Sequence, residues 1–188
     1  YAVFNICEQG GHVVASAPIY GGTFILFNVT LRKLGLDFTF VDPDASEEEL
    51  AKAFKPNTKA VFAETVSNPS LVVLDIEKFA RLAHSHGVPL VIDNTFATPI
   101  NCRPFEWGAD IVTHSSTKYL GGHNDTISGI LVVKDNVEIV DKIRVHMQSR
   151  FFRRCGRWFS VSPETAPGLK NRPIPARAAC RPTGRGRS

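Results

Sequence analysis

Strand-length apolar runs recur through the first 150 residues with helix-like segments between them, and that alternation is what most narrows the fold. His12–Ala17, Phe38–Val41, Lys59–Glu64, Pro89–Asp93, Ile111–His114 and Ser128–Val133 read as six strands. They are apolar along most of their length rather than at every second residue, as strands buried on both faces are. Between them lie helical signals. Tyr1–Glu8 reads as the end of a helix, closed by Gly10 and Gly11. Apolar residues at 24, 26, 27, 31 and 34, followed by Gly35, predict a helix over 23–34. Ser46 and Glu49 form a capping box ahead of a short helix to Phe54, and Asp75 caps a helix over 76–86. A further helix is predicted over 137–147. The expected architecture is α/β, a mostly parallel sheet with helices on both faces. Ligands of such sheets bind beyond the carboxyl ends of the strands.

Charge and cysteine usage bound the function classes. The net charge of +4 comes from the end of the chain. Residues 1–150 hold 13 basic and 17 acidic side chains, whereas residues 151–188 hold nine basic and one acidic. The arginines of that tail sit among prolines and small residues, without helical spacing or interleaved aromatics, so no nucleic-acid partner is expected. Residues 150–188 are expected to be a disordered or aberrant tail, and residues 1–149 part of one domain. No apolar run reaches the roughly 20 residues of a membrane span, and no membrane partner is expected. Cys7, Cys102, Cys155 and Cys180 have no CxxC spacing, which fits a reducing, cytoplasmic setting better than a disulfide framework. The chain begins at Tyr1 rather than Met.

Several polar residues fall at or just after predicted strand ends. Asp93 ends the fourth strand, and Lys118 follows 25 positions later behind Ser115, Ser116 and Thr117. An aspartate at the end of an apolar strand is costly to bury unpaired, and a protonated ring nitrogen would be a partner for it. A lysine amine condenses with an aldehyde once burial or a neighbouring cation lowers its pKa. Ser115 and Thr117 carry hydroxyls suited to a phosphate. Together these groups suit pyridoxal 5'-phosphate (PLP), with Thr95 counted among the cofactor contacts. Tyr20, ahead of Gly21 and Gly22, can lay its ring on a flat cofactor. Asn68 could bond a ring oxygen. Each has a plainer reading as well: Asp93 as a cap on its own loop, Asn68-Pro69 as a simple turn, Tyr20 as a surface residue on a glycine turn. His84 and His86 point different ways on a helix, which is poor metal geometry, so no metal is expected. Gly121-Gly122 lacks the lysine spacing of a nucleotide-binding loop.

The segments YGGTFILFNVTLRKLG and ETVSNPSLVVLDIEKFARLAHSHGVPLVIDNTFATPINCRPFEWGADIVTHSSTKYLGGHND resemble the Cys/Met-metabolism family of PLP-dependent enzymes. The resemblance runs over residues 1–149. It implies the large domain of a fold-type-I PLP-dependent transferase, with a cofactor, an amino-acid substrate, a sulfur donor and a homo-oligomeric assembly. By position, Lys118 matches the lysine that bonds the cofactor, Asp93 the partner of the ring nitrogen, Tyr20 the stacked ring, Asn68 the ring-oxygen contact, and Ser115 and Thr117 the phosphate hydroxyls. Lys118 and Tyr20 carry the expected catalytic roles. TLRKLG and NTFATPINCRPFEWGADIV resemble the O-acetylhomoserine sulfhydrylase branch, whereas GGHNDTISG is closer to the cystathionine enzymes. Methionine γ-lyases usually have cysteine where this chain has Gly22. Family members run to about twice this length, so the chain is expected to be partial, without the small C-terminal domain or the N-terminal arm.

Overall fold

In the computed structural model, which describes residues 2–134, one six-stranded sheet runs in the order β2-β1-β3-β4-β5-β6. The strands are β1 His12–Ser16, β2 Asp37–Val41, β3 Thr58–Glu64, β4 Leu90–Asp93, β5 Ile111–His114 and β6 Ile130–Val133. The first five are parallel, and β6 pairs antiparallel with β5. The helices are α1 Ala2–Ile6, α2 Gly21–Ile25, α3 Glu47–Ala51, α4 Ile76–Ser85 and α5 Thr98–Asn101. The expected α/β architecture, a mostly parallel sheet with helices, is the one observed.

Side-chain alternation along the strands builds a core on each face. Val13, Ala15, Phe38, Phe62, Val91 and Ile111 share one cluster with α1 and with Phe27 and Leu31. Phe27 stacks on Phe38 at 4.7 Å and meets Phe62 edge-on at 4.9 Å, both favourable aromatic arrangements. On the other face Val14, Val61, Ala63, Leu90, Ile92 and Val112 pack with Phe79, Ala80 and Ala83 of α4. The caps form as expected. Ser46 Oγ accepts the Glu49 amide at 3.2 Å while Glu49 returns to the Ser46 amide at 3.3 Å, and Asp75 accepts the Lys78 amide at 2.9 Å.

Two elements differ from their sequence reading. The helix expected over 23–34 begins at Gly21 and widens after Ile25 into a π-helical turn, Leu26–Leu31. Phe27 and Leu31 face the sheet, and Ile25, Leu26, Val29 and Leu34 remain exposed. The last strand begins at Ile130 rather than Ser128. The Thr117 hydroxyl takes both the amide and the carbonyl of Ser128, so the ladder with β5 starts only where Ile130 meets His114. The expected helix over 137–147 and the basic tail lie outside the described residues. Among the described residues no helix is long and apolar enough to cross a membrane, and Cys7 and Cys102 are free thiols.

A buried histidine at the start of β1 ties that strand to β2 and β3. His12 has no solvent exposure, and its ring nitrogens lie 2.8 Å from Thr58 Oγ1 and 2.9 Å from Thr39 Oγ1. Burial, then the nearby Lys55, hold its pKa below the usual histidine value. The folded chain therefore takes up this proton less readily than the unfolded chain. The stability it contributes is complete above the unfolded pKa of about 6.5 and is lost as pH falls through the folded value. The stability advantage of wild type over His12→Asn should shrink between pH 7.5 and pH 5 in urea titrations. An advantage that stays constant over that range would contradict this assignment.

Candidate active site

Strand order places a crevice between the carboxyl ends of β1 and β3. The chain leaves β1 for β2 on one side and returns to β3 on the other, which makes this the switch point where open α/β sheets bind ligands. A cavity of about 740 Å³ opens there, within the usual range for small-molecule sites. Tyr20, Asn68, Asp93, Thr95, Ser115, Thr117 and Lys118 all line it. These are the seven residues singled out from sequence, drawn from four separate loops of the chain.

Each is held by local chemistry. Tyr20 precedes α2, and its amide donates to Glu64 Oε1 at 2.8 Å. Its ring lies back over Gly22, where an added Cβ would sit 2.6 Å from Tyr20 Cε1. Any larger residue at 22 must therefore displace the ring. Asn68 precedes a cis proline, and its amide donates to Glu64 Oε2 at 3.2 Å. Asp93 Oδ1 accepts the Thr95 amide at 2.9 Å, which is the local cap that the plainer reading foresaw. Thr95 Oγ1 accepts the Ser115 amide at 2.7 Å, tying the loop after β4 to the loop after β5. Residues 115–122 coil tightly: the Lys118 N–H donates to the Ser115 carbonyl, the Gly121 N–H to the Ser116 carbonyl and the Gly122 N–H to the Lys118 carbonyl. A Cβ at Gly121 would lie 2.7 Å from the Ser116 carbonyl, so this coil needs glycine there. Lys118 is exposed and, among the described residues, is the lone lysine lining the cavity.

Sequence reasoning missed Glu64, which lines the cavity, and Thr113, which lies beside Asp93 in the next strand. Glu64, Asp93 and Thr113 are register partners across β3, β4 and β5, so their side chains fall in one row on one face. Glu64 is 8 % exposed. Burial first, then the Asp93 charge, push its carboxyl up to about 7 against the pull of the Tyr20 and Asn68 amides. Among the described residues Thr113 Oγ1 is buried without a partner. The signal for Glu64 was present, since it ends an apolar strand as Asp93 does. Its burial depends on the strand order, which periodicity does not carry.

The donor set can be tested against PLP. Among the described residues the buried Thr113 hydroxyl, level with Asp93 but lining a neighbouring cavity, has no partner, at a cost of about 1–3 kcal/mol. Among the described residues Asp93 Oδ2 receives no donor, which leaves it open to a ring N–H. Ser115 and Lys118 lie along the same cavity wall. The fit is good at these positions. It is conditional at Thr117, whose hydroxyl proton is already given to the Ser128 carbonyl at 3.1 Å and would have to be exchanged for a phosphate oxygen. The remaining polar groups are structural. His84 meets Asp110 at 2.8 Å, His86 stacks on Phe54, and Arg103 pairs with Glu106 at 3.3 Å.

Similarity to known proteins points the same way. A cystathionine gamma-synthase/O-acetylhomoserine (thiol)-lyase of Bacillus subtilis (strain 168) is 48% identical over 133 residues, covering 71% of this chain and 35% of that protein. A cystathionine gamma-lyase of the same organism is 47% identical over 131 residues, 70% of this chain and 34% of its own length. The homocysteine/cysteine synthase of Saccharomyces cerevisiae (strain ATCC 204508 / S288c) is 45% identical over 132 residues, with shares of 70% and 30%. The matched stretch thus spans about a third of each relative. The sequence profile of the Cys/Met metabolism PLP-dependent enzymes matches residues 1–166. With most of its length inside that profile, this chain belongs to the Cys/Met metabolism PLP-dependent enzyme family.

Proposed function

We propose that this chain carries the cofactor side of a γ-replacement site. The substrate would be O-acetylhomoserine, and sulfide or a thiol would add to give homocysteine or methionine. The observation that carries the reading is the convergence of Tyr20, Asn68, Asp93, Thr95, Ser115, Thr117 and Lys118 on one switch-point cavity. Residues 1–149 are read as part of a PLP-binding large domain, in an intact protein that is cytoplasmic and homo-oligomeric.

When bound, PLP supplies an electron sink that makes a proton on the carbon beside the amino group removable. The residues here would do the rest. Asp93 would keep the proton on the ring nitrogen, and a charge-assisted bond of that kind is among the stronger hydrogen bonds. Tyr20 would cover a ring face, Asn68 would bond a ring oxygen, and Ser115 with Thr117 would bond the phosphate. Lys118 Nζ would hold the cofactor at rest and move protons between substrate carbons during turnover.

A second reading is a cystathionine γ-synthase or γ-lyase. It is favoured by the GGHNDTISG segment and by the double name of the Bacillus subtilis relative. Product analysis separates the readings. With O-acetylhomoserine and sulfide, homocysteine and acetate are expected. Cystathionine formed from O-acetylhomoserine and cysteine, or cystathionine cleaved at its γ-carbon, would favour the second. Bound PLP with neither reaction would mark a cofactor-binding chain without turnover.

A further inference from the structure

We propose that Glu64 is a positioning residue, a buried carboxylate that clamps the backbone of Tyr20 to that of Asn68 across the switch-point crevice. The inference rests on reading the cavity as the cofactor site, and it adds a residue that the sequence did not suggest.

The geometry is specific. One carboxylate oxygen accepts the Tyr20 amide and the other the Asn68 amide, at 2.8 and 3.2 Å. Tyr20 leaves β1 and Asn68 follows β3, so the bonds join loops 44 and four residues away from Glu64 in sequence. These are the two residues read as the stacked ring and the ring-oxygen contact. A single planar group therefore sets the spacing between two side chains that must meet the same flat ligand. Side chains on loops are placed more loosely than those on strands, and a clamp rooted at the end of a buried strand removes that slack.

The choice of glutamate is costly, which sharpens the inference. A buried carboxylate is tolerated when paired or fully hydrogen-bonded. Among the described residues Glu64 has no cationic partner, and its register neighbour Asp93 is a like charge. A glutamine of the same shape would avoid the burial and repulsion. It would also turn an amide N–H₂ group toward one of the two backbone N–H donors, leaving that loop unanchored. Only the two-acceptor form holds both loops at once.

The test uses the full chain with Glu64→Gln and Glu64→Ala. In protein without cofactor, hydrogen exchange of the Tyr20 and Asn68 amides should quicken at least about tenfold in Glu64→Ala, while amides inside β1 and β4 keep their protection. Glu64→Gln should melt no lower than wild type at pH 8, because it removes a buried charge beside Asp93. It should nevertheless bind PLP about tenfold more weakly, the scale of one lost hydrogen bond. The visible circular dichroism of bound PLP should change with it. A merely structural glutamate would not combine kept stability with an altered cofactor signal. Wild-type affinity and dichroism in Glu64→Gln, or unchanged amide protection in Glu64→Ala, would overturn the clamp. If wild type itself gave no cofactor band, the cofactor reading would fall. The exchange experiment would still decide whether the clamp exists.

Discussion

Lys118→Ala is expected to abolish covalent capture of PLP. Wild-type protein mixed with PLP should absorb at a wavelength distinct from that of the free cofactor. Borohydride should then fix the cofactor on the peptide that contains Lys118. A primary amine is required for that bond, and among the described residues no other lysine lines the cavity. The variant should therefore show no label on this peptide. The fold should survive the change: Lys118 is exposed, and the bonds that shape its turn use its backbone, the amide giving to Ser115 and the carbonyl accepting from Gly122. Polar contacts at Asp93 and Ser115 would remain, so weak reversible binding is compatible with the reading. Label distributed over Lys52, Lys55 or Lys59 in wild type, or an unchanged label in Lys118→Ala, would sink it. Those lysines also serve as internal controls, because unspecific condensation falls on any exposed amine.

How much of this was legible in the sequence depends on the range of the interactions. Features settled within a few residues were readable. The Ser46–Glu49 box and the Asp75 cap form as the residue types dictate, and the apolar runs fall in strands because both faces of the sheet are covered. Features set by pairing were not. Periodicity says nothing of strand direction, so the antiparallel β6 was invisible. The widening at Leu26–Leu31 was hidden too, since apolar residues at 27 and 31 suit an ordinary helix equally well. In the site, the seven candidates were identifiable by residue type, position after strands and family resemblance. Glu64 and Thr113 were not, because their importance comes from lying level with Asp93 in neighbouring strands. The role of Asn94 is hidden for the same reason. Its side chain bonds Thr65 and Cys102, which lie 29 and eight residues away.

That arrangement makes Asn94→Leu the substitution expected to cost the most stability. Asn94 has no exposed surface. Its Oδ1 accepts the Thr65 hydroxyl at 2.8 Å and its Nδ2 donates to the Cys102 carbonyl at 2.9 Å. Its amide donates to the Thr113 carbonyl and its own carbonyl accepts the Thr98 amide, both at 2.9 Å. One residue thus joins the exit of β3, the end of α5 and the edge of β5. Leucine has the same branched side-chain skeleton and keeps the backbone bonds, but its methyls are bulkier than the amide, so crowding adds to the loss of the side-chain bonds. It strands the buried Thr65 hydroxyl and the half-buried Cys102 carbonyl, each at up to about 1–3 kcal/mol. A total near 4 kcal/mol is expected, a large part of the 5–15 kcal/mol that holds a typical domain. Asn94→Asp should fall between wild type and Asn94→Leu near neutral pH if the Thr65 bond outweighs the new charge. It keeps that acceptor, loses the donor to Cys102 and adds an anion next to Asp93. Urea unfolding of the three chains measures the order directly. A loss below about 1 kcal/mol in Asn94→Leu would show that water or a backbone shift satisfies both stranded groups. In that case the loop bearing Asp93 and Thr95 would owe its position to the Thr95–Ser115 bond instead.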